Sequence, residues 1–580
     1  MKHIIVTVFL FAATALAEPP ASVEMQWAVK IPMRDGVHLN ATVFQPAGQK
    51  DPLPVVFTLT PYLADSYLDR ALYFARHGYV FALVDVRGRG NSEGTFEPFA
   101  NDGRDGYDAV EWLAKQPWSN GKIAMWGGSY AGFDQWSTAK ERPPHLATIV
   151  PAAAVHPGVD FPFFHNIFYS YDIQWLTFTS GTAPNAKLFG ESAFWIDRFR
   201  DMYMNHKPFA EIDAIVGNKS TVFPMWLKHP TPDAYLDAMV PTPDAYRALD
   251  IPILTITGHY DGDQPGAFTY YRAHMKYGTA DDTAKHYIII GPWDHPATRT
   301  PRKEIGGLTF ADASLVDLNK LHNEWYDWTM KGGPKPEFLK KRVAYYVTGA
   351  EEWKYADSLE AIPTTPQRFY LDSSATGASD AFHSGSLVST VTNSAPDRWT
   401  YDPLDVRPAE LDSEDIANNL TDQRGALRLY GEGAVYHSAP FEKDTELTGF
   451  VRFTASIAMD VPDSDLSVGL YEIKPDGSSV QLTGDLMRAR YRDSVREAKL
   501  VKPGEINRYV FDGFTFISRR IAKGSRLRLV VGSVNTMFLE KNYNSGGDVA
   551  HETAKDARTA HITLYHDAQH PSFLELPLAQ

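Results

Sequence analysis

Apolar runs separated by helix-forming segments dominate the first half of the chain. The runs 253–257 and 287–290 are apolar and β-branched without alternation, and a third apolar run occupies 123–126. Such runs are typical of strands buried on both faces of a parallel sheet. Strand-like segments also fill 25–60, and 102–113 has a helical pattern. This part of the chain is therefore predicted to be an α/β domain.

The pattern changes between residues 151 and 245, where aromatic-rich, helix-like segments carry frequent prolines. Two copies of Pro-Thr-Pro-Asp-Ala-Tyr lie there, at 230–235 and 241–246. In each copy the Thr can cap a helix, the Pro can occupy its first position, and the Asp suits the helix dipole. We interpret them as two helix starts and 151–245 as a helical cap. The cap interrupts a catalytic domain formed by 25–150 and 246–350.

A helix is predicted from Asp317 to Lys331, and Gly332-Gly333 is a suitable C-cap and exit from the catalytic domain. Beyond residue 350 the pattern turns to short alternating strands, such as 526–531, separated by Gly, Asp and Asn turns. This pattern predicts an antiparallel β-sandwich over 351–580.

Composition sets the outer limits. At 580 residues the chain is too long for one core and is expected to form two or three domains. Aromatic residues make up 13% of the sequence, which favours large cores and pockets over disorder. The net charge of −15 argues against nucleic-acid binding, because neutralising phosphates requires a basic surface.

The first 17 residues resemble an export signal. Lys2 begins a short polar start, 4–13 is apolar, and Ala15-Leu16-Ala17 suits cleavage after Ala17. The apolar run is too short to span a bilayer. The sequence contains no cysteine, and therefore neither disulfides nor a lipid-anchoring cysteine. A periplasmic or secreted protein is predicted, and a buried N-terminal strand is the alternative for this segment.

The run 123–126 leads directly into Gly127-Gly128-Ser129-Tyr130-Ala131-Gly132. A serine between small residues at a strand-to-helix turn is how a hydroxyl is presented as a nucleophile, since glycines avoid Cβ clashes in so sharp a turn. The backbone amide of Tyr130 would then point at the carbonyl oxygen as it gains charge. A purely structural glycine-rich turn is the alternative.

Two further strands end in the residues that a serine nucleophile needs. Asp261 follows 253–257, and His295 follows 287–290. Ligands of open α/β sheets bind at the carboxyl ends of the strands, where Ser129, Asp261 and His295 would all lie. Their order along the chain is that of α/β-hydrolases. Asp294 is the rival for orienting the histidine, but an adjacent side chain rarely folds back onto the ring.

Other charged groups have simpler interpretations. Asp85 and Arg87 are predicted to form a structural ion pair at another strand end. His561, His566 and His570 suggest a metal site, but 561 and 566 face opposite sides of a single strand. We predict neither a metal nor any other cofactor.

The chain resembles the cocaine esterase, α-amino acid ester hydrolase and X-Pro dipeptidyl-peptidase group of serine hydrolases. The resemblance covers most of the chain after its first 25 residues. It implies a jelly-roll C-terminal domain, whose role is packing against the catalytic domain or binding carbohydrate. It also implies that the hydroxyl of Tyr62 is the second oxyanion donor, and it leaves a homo-oligomer open because the group includes multimers. The matching motifs are Thr-Pro-Tyr at 60–62, Asp-Val-Arg-Gly-Arg-Gly at 85–90, Gly-Gly-Ser-Tyr-Ala-Gly at 127–132, Tyr-Asp-Gly at 260–262, Gly-Pro-Trp-Asp-His at 291–295, and 486–493.

Substrate recognition is less closely specified. Asp263 lies where the amino-ester enzymes of the group carry an acid, and with Asp160 it could hold a substrate ammonium. These enzymes have a second acid next, where this chain has Gln264. The cap residues Phe161, Phe164 and Trp175 are candidates for an apolar acyl pocket or for the core of the cap.

The resulting prediction is a serine acyl hydrolase. It would cleave esters or activated amides of small molecules, such as α-amino acid esters or β-lactam side chains, through an acyl-enzyme. One alternative is an Xaa-Pro dipeptidyl-peptidase. Another is a non-catalytic glycan-binding protein with a vestigial hydrolase site.

Overall fold

The computed structural model describes residues 22–413 and 419–579. The predicted export signal and its cleavage site lie outside these residues. In the first part of the chain the strands are β1 (Val23–Pro32), β2 (His38–Pro46), β3 (Leu53–Thr60), β4 (Val80–Asp85), β5 (Ser119–Ser129), β6 (Leu146–Ala154), β7 (Phe163–Phe164), β8 (Ile167–Phe168), β9 (Ile253–Tyr260), β10 (His286–Asp294), β11 (Glu304–Ile305), β12 (Leu308–Thr309), β13 (Val343–Val347) and β14 (Glu352–Ala356).

Helices connect these strands. They are α1 (Leu68–Arg76), α2 (Asp102–Ala114), α3 (Tyr130–Lys140), α4 (Tyr171–Phe178), α5 (Ala186–Phe189), α6 (Ser192–Met204), α7 (Ile212–Ile215), α8 (Phe223–Leu227), α9 (Ala234–Asp237), α10 (Pro243–Arg247), α11 (Gln264–Tyr277), α12 (Ala280–Thr283) and α13 (Leu318–Lys331). Within the described residues, no helix has the combination of length and apolarity that a membrane crossing needs.

Ten strands form one sheet in the order β1-β2-β4-β3-β5-β6-β9-β10-β13-β14. All neighbours from β4 to β13 are parallel, and the flanking pairs are antiparallel. The parallel strands are buried almost throughout, as their apolar runs predict. Helices α2, α3 and α11 supply side chains to the core on one face, and α1 and α13 to the core on the other.

The sheet extends beyond the predicted domain limits. β6 continues to Ala154, past the boundary placed at residue 150, and β14 continues to Ala356. Helices α4 to α10 lie between β6 and β9. Helix α13 begins after Asp317, which caps the amide of Lys320, and ends at Gly332 with φ +74°. That backbone conformation is accessible to glycine at little cost.

The two Pro-Thr-Pro-Asp-Ala-Tyr copies form helix starts of different kinds. In the second copy Thr242 caps α10 and Pro243 is its first residue, as predicted. In the first copy the prediction is wrong, because Asp233 caps α9 through its carboxylate. Helix α9 therefore begins after the motif's Asp instead of before it.

The C-terminal domain is rich in β-structure. Its elements are β15 (Thr364–Asp372), β16 (Gly385–Val388), β17 (Asp397–Tyr401), α14 (Arg407–Glu410), β18 (Gly433–Ser438), β19 (Thr445–Gly449), β20 (Arg452–Met459), β21 (Asp465–Ile473), β22 (Ser479–Arg488), β23 (Asn507–Phe511), β24 (Ile517–Ile521), β25 (Arg526–Ser533), β26 (Ala560–Tyr565) and β27 (Phe573–Ala579).

All thirteen of these strands form one hydrogen-bonded, mainly antiparallel sheet around a separate hydrophobic core. The predicted fold class, an α/β domain followed by a sheet-rich domain, is confirmed. Strand β25 does not alternate as its sequence pattern suggests. It is buried at every position after Arg526, because Leu527, Leu529 and Val531 belong to the main core of the domain and Val530 packs in a separate cluster with Val435.

Two sequence interpretations of charged groups can be compared with the structure. Arg87 pairs with Asp105 at 2.6 Å and with Asp35 at 3.0 Å, and the ion pair between Arg87 and Asp85 stays a prediction. The C-terminal histidines take separate partners, and His566 pairs with Asp397 at 2.9 Å. Among the described residues, no group of three or more His, Asp or Glu side chains is placed to hold a metal ion.

Candidate active site

Ser129 lies at the junction of β5 and α3 in a strained conformation, with φ +62° and ψ −125°. A non-glycine residue with positive φ typically costs about 1–3 kcal/mol, which the surrounding structure must offset. The flanking glycines make this turn possible. A Cβ on Gly128 would lie 2.9 Å from the carbonyl oxygen of Ala152 and 2.5 Å from Nη1 of Arg299, and a Cβ on Gly132 would be equally close to Ala152.

Asp261 and His295 meet where β9 and β10 end. The Asp261 Oδ1 atom lies 2.8 Å from Nδ1 of His295. The Asp261 carboxylate is buried, and it also accepts hydrogen bonds from Oγ1 of Thr257 at 3.1 Å and from the amide of Asp263 at 3.1 Å. These bonds hold the carboxylate in place. Because Nδ1 of His295 is bonded to this carboxylate, Nε2 is the ring nitrogen that remains available to accept a proton.

The neighbouring carboxylate of Asp294 faces elsewhere. It pairs with Arg302, and its Oδ1 accepts the amide of Ala297 at 3.1 Å. The structure therefore favours Asp261 over Asp294 as the partner of the His295 ring.

One cavity of about 350 Å³ brings most of the sequence-predicted site residues together. Asp261 lies behind His295 and does not line it. Phe164 does not line it either; it stacks on His165 and lines a second cavity. The cavity is lined by Tyr62, Phe99, Ser129, Tyr130, Val155, Asp160, Phe161, Tyr169, Tyr171, Trp175, Gly262, Asp263 and His295.

Tyr62 follows β3 and points its hydroxyl at the nucleophile turn. Its oxygen lies 3.0 Å from Nε1 of Trp175, and Tyr62 and Ser129 line the same cavity. Burial raises the pKa of Tyr62, which keeps the phenol protonated and able to donate.

Tyr130 begins α3, so its amide is one of the free donors at the helix N-terminus. Its side chain is buried beside the cavity. The phenol donates to Oδ2 of Asp102 at 3.0 Å and accepts the amide of Phe99 at 2.6 Å. The backbone amide of Tyr130 is therefore the candidate oxyanion donor, and its phenol joins α3 to the start of α2.

Two carboxylates face the cavity in different ways. Asp160 is anchored, because Oδ1 accepts the amide of His156 at 2.8 Å and Oδ2 accepts the amide of Gly266 at 2.6 Å. Burial raises the pKa of Asp160 to about 8. Asp263 is 19% exposed, and its Oδ2 lies 3.6 Å from Nδ1 of His295. Burial raises the pKa of Asp263, and His295 offsets part of this effect.

The pKa of His295 reflects a balance. Burial lowers it, but the carboxylates of Asp263 and Asp261 outweigh burial, and the net pKa is raised above the ordinary value of 6.5. The guanidinium of Arg299 acts in the opposite direction. The arrangement stabilises an imidazolium, which is the form His295 would take after accepting a proton.

Sequence reasoning missed several neighbours of this site, among them Phe99 and Arg299. Phe99 lines the cavity with φ +68° and stacks on Tyr130 at 4.6 Å between ring centroids. Arg299 packs against Gly128 beneath the nucleophile turn. No sequence pattern identifies Phe99 as a site residue. Arg299 lies just beyond the Gly-Pro-Trp-Asp-His motif, and only its position near His295 in the sequence indicates that it belongs to the site.

Comparisons with known proteins agree with this architecture. Residues 35–297 match the family model described as X-Pro dipeptidyl-peptidase (S15 family), and residues 338–575 match the X-Pro dipeptidyl-peptidase C-terminal non-catalytic domain. The cocaine esterase of Rhodococcus sp. (strain MB1 Bresler) is 26% identical over 588 residues, which cover 95% of this chain and 98% of that protein.

Two solved structures share the fold along nearly the whole chain. An aminopeptidase from the marine sediment archaeon Thaumarchaeota archaeon superposes with a TM-score of 0.82 at 21% identity, covering 98% of this chain and 99% of the other. An α-amino acid ester hydrolase gives a TM-score of 0.82 at 19% identity and covers 98% of both chains.

Proposed function

Because the chain belongs to the serine hydrolase group with an S15 domain and an X-Pro dipeptidyl-peptidase C-terminal domain, we propose that it hydrolyses small-molecule esters or activated amides. The observation that carries the proposal is the 2.8 Å contact between Asp261 and His295 beside a cavity that also holds Ser129 and Tyr62. This set contains a nucleophile, a base with its orienting acid, and oxyanion donors.

The proposed reaction proceeds in two stages. Nε2 of His295 accepts the Ser129 proton while Oγ forms a bond to the substrate carbonyl carbon, and Asp261 stabilises the imidazolium. The tetrahedral oxygen accepts hydrogen bonds from the Tyr62 phenol and the Tyr130 amide. The loss of one such donor typically costs about 2.7–4 kcal/mol of barrier. His295 then protonates the leaving group, and the same groups activate water to release the acid.

We further propose that the preferred substrates carry an amino group next to the scissile carbonyl. Asp263 and Asp160 place two carboxylates in a cavity otherwise lined largely by aromatic rings. No hydrogen bond to the Asp263 side chain is found among the described residues, whereas both oxygens of Asp160 accept backbone amides. A substrate ammonium would complete the environment of Asp263 with a charge-assisted hydrogen bond.

A second candidate is removal of Xaa-Pro dipeptides from peptide N-termini, which the same carboxylates favour because they could hold a peptide's terminal ammonium. Glycyl-prolyl anilide and phenylglycine methyl ester distinguish the two functions. The proposal predicts faster cleavage of the ester, and a strong preference for the anilide would favour the peptidase.

The general proposal is tested by pre-steady-state kinetics with a 4-nitrophenyl ester. An acyl-enzyme whose breakdown is slower than its formation gives a burst of nitrophenolate equal to the enzyme concentration. Ser129→Ala should abolish both burst and turnover. Full turnover in Ser129→Ala would contradict the assignment, and absence of all ester and amide hydrolysis in the wild type would favour the glycan-binding alternative.

The location of the protein is a separate proposal. We propose export with cleavage after Ala17, on the basis of the sequence features of residues 1–17. N-terminal sequencing of the protein from its native cells tests it, and a mature chain that still begins at Met1 would contradict it.

A further inference from the structure

The Tyr62 hydroxyl lies between two polar groups with different capacities. Nε1 of Trp175 is 3.0 Å away, and the Ser129 side chain lines the same cavity as Tyr62. An indole N–H can only donate, so the Tyr62 oxygen must accept from Trp175. A phenol carries a single proton. That proton is therefore directed away from Trp175 and is available to the cavity that Tyr62 shares with Ser129, where the oxyanion of the proposed reaction forms.

We propose that Trp175 is a positioning residue that sets the direction of the Tyr62 proton for oxyanion stabilisation. The inference rests on the proposed function. Trp175 acts in two ways: its N–H occupies an acceptor position of the phenol oxygen, and by donating to that oxygen it strengthens the phenol as a donor. Both effects matter most when the substrate oxygen becomes negative, so they act on turnover.

The Trp175 ring is held rigidly enough for this role. It is 4% exposed. Its ring stacks on Tyr130 with centroids 5.7 Å apart and planes 15° apart, and it meets Phe161 edge-on at 5.4 Å and 72°. Tyr62 is held as well, since its ring stacks on Phe178 at 5.5 Å. Neither partner of the hydrogen bond can turn without displacing another ring.

The C-terminal domain fixes the beginning of the helix that carries Trp175. Ser170, which precedes α4, donates its amide to the carbonyl of Phe538 at 2.9 Å and its hydroxyl to the carbonyl of Met537 at 2.8 Å. Tyr169 and Leu539 form a β-bridge beside these bonds. The C-terminal domain therefore contacts the start of α4, the helix whose Trp175 binds the oxyanion donor Tyr62. This contact gives the C-terminal domain a role in the site in addition to packing against the catalytic domain.

Arg89 joins the other end of α4 to the loop of Tyr62. Its guanidinium is fully buried and donates to the carbonyl of Thr179 at 2.6 Å and to those of Ser180 and Gly181, at the end of the helix. Its Nε donates to the carbonyl of Pro61 at 2.8 Å. One side chain therefore sets the spacing between the helix of Trp175 and the residue before Tyr62.

A double-mutant cycle tests the inference. The variants are Trp175→Phe, Tyr62→Phe and the double substitution, assayed with uncharged 4-nitrophenyl acetate. We expect Trp175→Phe to lower kcat about 3- to 10-fold, the effect of losing one neutral hydrogen bond. In the Tyr62→Phe background the same substitution should leave kcat unchanged, because the phenol that Trp175 orients is absent. A change in KM common to both backgrounds would report only the altered pocket shape.

Trp195→Phe is the matched control. Trp195 is a buried indole of the same cap that donates its N–H to the carbonyl of Leu188 at 2.8 Å and does not line the cavity. It should retain the wild-type kcat. If Trp175→Phe fails to fold, benzothienylalanine at position 175 removes the N–H while keeping the shape of the ring.

The outcomes separate the two proposals. An equal loss of kcat from Trp175→Phe with and without the Tyr62 hydroxyl overturns the positioning role, and so does no loss at all in an active enzyme. A wild type without hydrolytic activity overturns the proposed function instead.

Discussion

Replacing Asp263 by asparagine should remove the preference for substrates with an α-amino group. The change keeps the size of the side chain and removes only the charge. The Asp263 carboxylate lies in the cavity with Ser129, and no hydrogen bond to it is found within the described residues. Asp160 already accepts two backbone amides. The ammonium of a substrate is therefore expected to depend mainly on Asp263.

The expected loss in kcat/KM for the amino ester follows from the loss of one charge-assisted hydrogen bond. Such bonds contribute about 1.5–3 kcal/mol, which corresponds to a ~10- to ~150-fold loss in kcat/KM. The Asp263 side chain is 19% exposed and already attracts His295 at 3.6 Å, so its charge is partly screened. We therefore expect a loss near the lower end, about 10- to 30-fold.

The assay compares two esters that differ only in the amino group, phenylglycine methyl ester and phenylacetic acid methyl ester. The ratio of their kcat/KM values cancels any effect of the substitution on His295, because both substrates need the same base. Asp294→Asn is the matched control, since Asp294 adjoins His295 but pairs with Arg302 outside the cavity lining. It should keep the wild-type ratio.

The reasoning is refuted if Asp263→Asn hydrolyses phenylacetic acid methyl ester normally and keeps the wild-type ratio. A wild-type ratio near one would also refute it, because the ammonium would then contribute nothing to recognition.

Three further predictions concern the base, a buried cation and the nucleophile turn. The acid limb of kcat/KM for an uncharged ester should lie above pH 6.5, because His295 must be neutral to accept a proton and its pKa is raised. Asp263→Asn should move this limb to lower pH. A limb that does not move would contradict the role of Asp263 in raising the His295 pKa. Arg89→Met should lower the free energy of unfolding by about 3 kcal/mol in urea titrations, since several buried carbonyls lose their hydrogen-bond donor. A change below about 1 kcal/mol would show that water replaces the guanidinium as the donor. Gly132→Ala should lower the free energy of unfolding by about 1–3 kcal/mol in the same titrations, because its Cβ would lie 2.9 Å from the Ala152 oxygen. An unchanged free energy of unfolding would mean that strand β6 can shift to make room for the methyl group.

Much of the site was predictable because it depends on local patterns. The glycines around Ser129 and the apolar strands before Asp261 and His295 define where three chain segments end, and parallel strands bring such ends to one edge. The fold class follows from the same periodicity. These features require no knowledge of which side chains touch across the molecule.

The features that sequence could not supply depend on long-range packing. Arg87 pairs with Asp105 of helix α2, and this contact depends on where the helix lies over the sheet. In the sequence, Trp175 indicates only that the cap is rich in aromatic residues. Its hydrogen bond to Tyr62 depends on where α4 packs in the folded chain. Phe164 has the same composition signal as Phe161, yet the chain turns between them and sends Phe164 to another cavity.

The central claim is that Asp261 and His295 make the Ser129 hydroxyl reactive. Labelling with a fluorophosphonate, followed by intact-mass and peptide analysis, tests it most directly. The account predicts one phosphonyl group per chain, located on Ser129, absent from Ser129→Ala and formed far more slowly in His295→Ala. A wild-type protein that remains unlabelled, or that is labelled equally fast without His295, would contradict it.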